Sequence, residues 1–288
     1  MNVSPNPVQS EMRRLRPALG TLVEIAAAGE GGALAAAYAA IEAVEAEASF
    51  FRATSDLSRL NRALPGTELA VGTHLAALLE LAMRFERRSA GAFNANLGAF
   101  RGSSAPGAVP LPALECLELI SGGRVRVRRS VCLDLGGLAK GYAVDCAIDA
   151  LKQAGAQVGS VNAGGDLAVF GRSERIVIRA PEAWRQPART VELIDAALAT
   201  SAGYAQDGPF HGRAGLAIFD RDGKLPAPTA SSVTVVAPRC AVADALTKVL
   251  WVERARSGGA CDHPLLLEFG ASAFWMERNM AGEQGSGK

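Results

Sequence analysis

The chain has 288 residues, 49% hydrophobic and 20% charged, with a formal net charge of +1. That length and balance suit one large domain or two small ones with a sizeable core. The near-zero charge gives no global pull toward nucleic acid or an anionic membrane surface. Five cysteines, Cys116, Cys132, Cys146, Cys240 and Cys261, lie apart without CxxC spacing, and three histidines, His74, His211 and His263, lack metal-ligand spacing. Dispersed thiols among apolar neighbours read as reduced and buried.

In chain order, residues 1–18 read as a disordered lead-in that is polar and then basic, without a signal-peptide core. That implies a cytoplasmic protein, or a periplasmic one if a leader was removed. Residues 19–26 alternate like a strand. Residues 31–50 predict an amphipathic helix with Leu34, Tyr38, Ile41 and Val44 on its apolar face. Thr54, Ser55, Asp56 and Ser58 suit the cap of a short helix or the wall of a polar pocket. Residues 71–89 predict a second helix with a stripe at Leu75, Leu78, Leu79, Ala82 and Phe85. The loop 91–98 holds Asn94 and Asn96 between glycines, and residues 101–112 read as a mobile linker.

The central stretch is 134–145, Asp-Leu-Gly-Gly-Leu-Ala-Lys-Gly-Tyr-Ala-Val-Asp, continued by Val-Asn-Ala-Gly-Gly-Asp at 161–166. A strand-like run, 124–133, feeds two glycines that open a helix ending near Gln153. Bare amides and a positive helix end in such a turn can face a phosphate, although glycine pairs in plain turns are common. Beyond it, residues 176–180, 190–194, 197–204, 215–223, 232–237 and 273–277 read as strands and 240–252 as a helix. Residues 278–288 read as a disordered tail. Hairpin-like strand pairs dominate after residue 160, which favours α+β over a doubly wound sheet.

The ordered set Leu19-Gly-Thr, residues 55–61, Gly91-Ala-Phe-Asn94, residues 134–145, residues 161–166, Ala199-Thr-Ser201 and Ala243-Asp-Ala-Leu246 resembles the ApbE family. The resemblance spans about 19–277 as a single FAD-binding domain. It implies a T-fold-related α+β fold with mixed, largely antiparallel sheets packed with helices. The implied activity is that of an FAD:protein FMN transferase. Such an enzyme uses FAD as substrate and magnesium, moves FMN onto a threonine of an acceptor protein and releases AMP.

By the same resemblance, Gly137, Asp244 and Thr247 would hold the metal. Leu19, Phe51, Asn94, Ala95, Asn96, Asp134, Lys140 and Ile218 would line the flavin nucleotide. Asp244, Asp220 and His211 would act in catalysis. The sequence departs from the family wording at three places. Lys248 stands four residues after Asp244, where threonine is common. Ala217 stands where a histidine precedes the Asp220 segment. Asn94 replaces an aspartate. A second reading therefore stands beside the first: a non-catalytic flavin-binding relative in which Lys248 takes the place of the metal.

Overall fold

The computed structural model describes residues 11–29, 32–100, 110–180, 186–202, 231–257 and 263–277. The elements run β1 (Glu11–Ala18), β2 (Thr21–Ala28), α1 (Ala33–Ala48), α2 (Asp56–Asn61), β3 (Glu68–Ala70) and α3 (Thr73–Arg88). Then come α4 (Ala113–Cys116), β4 (Leu117–Ile120), β5 (Arg124–Val127), α5 (Ala139–Gln153), β6 (Val158–Ala163) and β7 (Asp166–Phe170). The remainder are β8 (Ser173–Arg179), β9 (Pro187–Ile194), β10 (Ala197–Ala202), β11 (Ser231–Ala237), α6 (Cys240–Ser257), α7 (Pro264–Glu268) and β12 (Ser272–Glu277). The main sheet has the order β1-β2-β6-β7-β10-β11-β12, and its paired strands are antiparallel. The chain is thus α+β, as the hairpin-rich second half predicts.

One face of this sheet carries the helices. The strand period of two puts Val23, Ile25, Val161, Ala163, Ala168, Phe170, Ala197, Ala199, Val233 and Val235 into one apolar cluster with α1, α3, α5 and α6. The other face is covered in part by the β8–β9 ribbon, through Leu167, Val169, Leu198, Ile178 and Leu193. β7 lies between the two layers, and all five of its residues are buried. A separate small sheet, β3-β5-β4, alternates buried Val125 and Val127 with exposed Arg124 and Arg126. Its outer face is a lattice of ion pairs among Glu68, Glu118, Arg124, Arg126 and Arg128. Exposed pairs of this kind contribute little to stability.

Two expectations change. Residues 11–18 belong not to a disordered lead-in but to strand β1, registered from Glu11 opposite Ala28 to Ala18 opposite Thr21. Most of its side chains are exposed, so backbone pairing rather than apolar burial holds it, and no apolar alternation announces it. The strand entering the central stretch is also shorter than expected. β5 stops at Val127, and residues 128–138 continue without regular structure into α5. β3, β4, α4 and α7 are too short to show a period. Ser55 does cap α2, its hydroxyl accepting the Ser58 N–H at 3.0 Å.

Candidate functional site

The central stretch is positioned by buried polar contacts at both ends. On the upstream side, Asp134 donates its N–H to the Ala95 carbonyl at 2.8 Å. Its carboxylate folds forward to accept the Gly136 N–H at 2.9 Å. Leu138 and Ala139 both donate to the Leu135 carbonyl. The amides of Gly136, Leu138 and Ala139 are therefore used inside the turn itself. Bare amides facing an anion were expected here, and these three are instead used internally, that of Gly136 because Asp134 supplies an acceptor within reach.

Downstream, α5 lies against the first turns of α6 in opposite order. Asp145 accepts the N–H groups of Cys240 at 2.8 Å and Ala241 at 3.0 Å. It thus satisfies two orphan donors of the α6 N-terminus from a neighbouring helix. Arg239 closes over it, pairing with Asp149 at 2.8 Å and Asp145 at 3.5 Å. Burial still dominates for Asp145 and pushes its carboxyl up to about 6, against the pull of those N–H groups and of Arg239. One turn earlier, Gly141 donates to Asp244 Oδ2 at 3.3 Å. A β-carbon on Gly141 would sit 2.4 Å from the Cys240 carbonyl oxygen, so only glycine lets the helices approach this closely. Gly137 lies beside the Lys248 stem, 3.6 Å from the position of a β-carbon to Lys248 Cγ.

These contacts bring four charges together. Lys140 pairs with Asp166, and Lys248 pairs with Asp244. The β7–β10 register, Ala197 opposite Ala168 and Leu198 opposite Leu167, carries Asp166 and Ser201 to the same end of the sheet. Both point to the helix layer, in line with Ala168 and Ala199. The four charges are not equally placed. Asp166 and Asp244 are 3% and 0% exposed, whereas the Lys140 and Lys248 side chains keep 22% and 15%. Burial alone would lower the Lys140 ammonium, but Asp166 and Asp244 outweigh it and hold the group above its usual range. Asp244 is pushed up by burial and pulled down further by Lys140 and Lys248, so it stays ionised. Asp166 is shifted the other way, by burial and by the charge of Asp244.

The resemblance assigns a metal to Gly137, Asp244 and Thr247, and the donors do not fit one. Asp244 Oδ1 holds the Lys248 ammonium and Oδ2 the Gly141 N–H. Thr247 donates to the Asp244 carbonyl at 2.7 Å and meets Ser201 Oγ at 2.8 Å and Lys248 Nζ at 3.1 Å. A hydroxyl has one donor and two acceptor positions, and those three contacts use them all. Both residues are 0% exposed. The ammonium stands on the two oxygens a hard cation would need.

The other expected residues divide. Leu19 opens a two-residue turn between β1 and β2 with φ of 55°, and Gly20 follows at 70°. A side chain is strained there, and Glu45 fixes the turn by accepting the Leu19 N–H at 2.9 Å. The Gly164-Gly165 turn lies beside it, since a β-carbon on Gly164 would meet Thr21 Oγ1 at 2.7 Å. Phe51 is 71% exposed, with its ring edge-on to Phe50. It is not a core residue.

Asn94 and Asn96 brace their loop. Asn94 donates to the Pro110 carbonyl and accepts the Asn96 N–H. Asn96 donates to the Leu111 carbonyl and accepts the Cys132 N–H. Ala95 is fully buried, its N–H held by Glu86. His211, Ile218 and Asp220 lie outside the described residues. Sequence reasoning passed over Asp166, Ser201, Asp145 and Glu86. The first three stand inside quoted motifs, and a polar residue ending an apolar strand face is the signal that marks Asp166 and Ser201.

Comparison with known proteins agrees with this architecture. The sequence profile of the ApbE family matches residues 19–261. A protein of Treponema pallidum (strain Nichols) named FAD:protein FMN transferase is 30% identical, over 84% of this chain and 78% of its own. A Vibrio cholerae protein of the same name is 28% identical, over 74% and 70%. The crystal structure of the apo flavinyl transferase ApbE from Pseudomonas stutzeri superposes with a TM-score of 0.74. It is 24% identical, with 94% of each chain covered, and that likeness bears on the fold alone. Among the described residues, no helix is long and apolar enough to cross a membrane.

Proposed function

The chain belongs to the ApbE family, and we propose that it is an FAD:protein FMN transferase. The acceptor is a threonine of a partner protein. Its hydroxyl oxygen attacks the FMN-side phosphorus of the FAD diphosphate. A new phosphorus–oxygen bond forms, the bond from that phosphorus to the bridging oxygen breaks, and AMP departs with the bridging oxygen. The hydroxyl proton leaves to a base or to solvent. Catalysis of this kind is mostly positioning and charge stabilisation.

One observation carries the reading. Lys140 and Lys248 are the members with the more exposed side chains in a cluster whose carboxylates, Asp166 and Asp244, are hidden. The Lys248 stem runs beside Gly137, Lys140 follows in the first turn of α5, and two such cations suit a diphosphate. In this reading Phe51 and Leu19 flank the flavin rings, and Asn94 sits at the nucleotide edge. Asp134 shapes the turn. Asp220 and His211 remain the proposed acid–base groups for the transfer. No step is routed through a metal, because the oxygens that would hold it are taken.

The test is incubation of the purified chain with FAD and a threonine-bearing peptide of an acceptor protein. The reading predicts AMP release matched by an FMN-sized mass gain on the peptide, lost when the threonine is replaced by valine. If FAD binds while AMP never appears with any acceptor tried, the chain is a flavin-binding relative without the transfer step.

A further inference from the structure

We infer that Lys248 is a built-in cation that seats the FAD diphosphate, so that binding of the dinucleotide is independent of magnesium. The inference rests on the FAD reading above and says how the charge of that substrate is met. A divalent-cation site needs carboxylate oxygens free to touch the ion. This cluster is arranged the other way. Asp244 is 0% exposed and Asp166 3%, while the two lysine side chains retain their exposed fractions. The exposed surface this cluster keeps belongs to its lysine side chains, not to its carboxylates.

Three further contacts fix Lys248 in that role. Its Nζ is held by Asp244 and by Thr247 Oγ1 at 3.1 Å. Ser201 holds that same hydroxyl from β10. An ammonium has three donors, two of which face Asp244 and Thr247, which leaves one for an outside acceptor. Lys140, tied to Asp166 alone among the described side-chain partners, is the second cation of the cluster. The turn's own amides at 136, 138 and 139 are spent internally. The positive charge offered to a phosphate therefore comes chiefly from lysine side chains.

The experiment is calorimetric titration of FAD, and of ADP as a bare diphosphate probe, into the apo chain, once in EDTA and once in magnesium. Wild type should bind each ligand equally in both, within about twofold. Magnesium alone should leave its unfolding midpoint unchanged. Lys248→Thr should bind about tenfold more weakly in EDTA, recover in magnesium, and gain a magnesium-dependent rise in midpoint. Because Lys248→Thr leaves Asp244 without its partner, the double change Lys248→Met with Asp244→Asn, which removes both charges, serves as the folded control. It should bind weakly in both conditions. Wild-type binding that collapses in EDTA would overturn the inference and leave the transferase reading standing. So would a double variant that binds as wild type. Failure of wild type to bind FAD under either condition would overturn both.

Discussion

Replacing Gly141 by alanine tests the helix contact on which the site is built. A β-carbon there would stand 2.4 Å from the Cys240 carbonyl oxygen, 2.6 Å from its carbon and 2.8 Å from the Ala241 nitrogen. All three are backbone atoms of the first turn of α6, so no side chain can rotate away. Ordinary contact needs roughly 1 Å more. Moving α6 outward by that much stretches the Asp145 bonds to Cys240 and Ala241 from 2.8 and 3.0 Å beyond hydrogen-bond range. It also separates the Gly141 N–H from Asp244, already at 3.3 Å. Overpacking costs about 1–3 kcal/mol, and losing a bond to a buried carboxylate adds about 1.5–3 kcal/mol. Alanine returns about 1 kcal/mol of helix propensity. The balance is a loss of about 3 kcal/mol, read by urea unfolding. Gly137→Ala is the control, since its β-carbon meets Phe93 at 3.4 Å and Lys248 at 3.6 Å, both ordinary contacts. A Gly141→Ala protein as stable as wild type, or more stable, would refute the helix-contact argument.

Asp145 titrates near 6 in the folded chain against an ordinary 3.8, so the native state holds its proton more tightly. Stability from this group is present at low pH and is lost as pH rises from about 4 through about 6, by at most about 3 kcal/mol. Asp145→Asn should flatten that stretch of the stability–pH curve, and an unchanged slope would contradict the assignment. Phe51→Ala should leave stability within about 0.5 kcal/mol. It should weaken FAD binding by about 1–3 kcal/mol if the ring stacks on a base or flavin. A fall in stability with unchanged FAD affinity would return Phe51 to a structural role. Glu86→Gln removes one of the carboxylate oxygens that receive Ala95, Ala113 and Leu114. The expected cost is about 1–3 kcal/mol for a buried N–H left unpaired, seen as faster amide exchange at those three positions. Unaltered exchange there would show that the loop does not depend on Glu86.

The elements most legible in the sequence are those with enough length to display a period. α1 and α3 fall where their apolar spacing puts them, α5 where its opening glycines do, and β11 where its alternation does. β1 is legible only through its partner, because its side chains are mostly in water and its stability comes from the ladder with β2. The glycine-rich turn is legible as a turn, but not as one whose amides are used internally. That outcome depends on where Asp134 directs its carboxylate.

For the site, the pairing of the central stretch with Asp244 follows from resemblance, while its sign follows only from coordinates. Lys248 four residues after Asp244 predicts proximity on a helix face. It does not predict which partner is hidden and which is presented. Asp166 and Ser201 reach the cluster through strand register across β7 and β10, a relation no local window contains.

A crystal structure of the chain with FAD tests the central claim most directly. The account predicts the diphosphate within hydrogen-bond distance of the Lys248 and Lys140 ammonium groups, with Asp244 still paired to Lys248. A diphosphate bound elsewhere would contradict it, as would a divalent ion between Asp244 and Thr247 with Lys248 swung away.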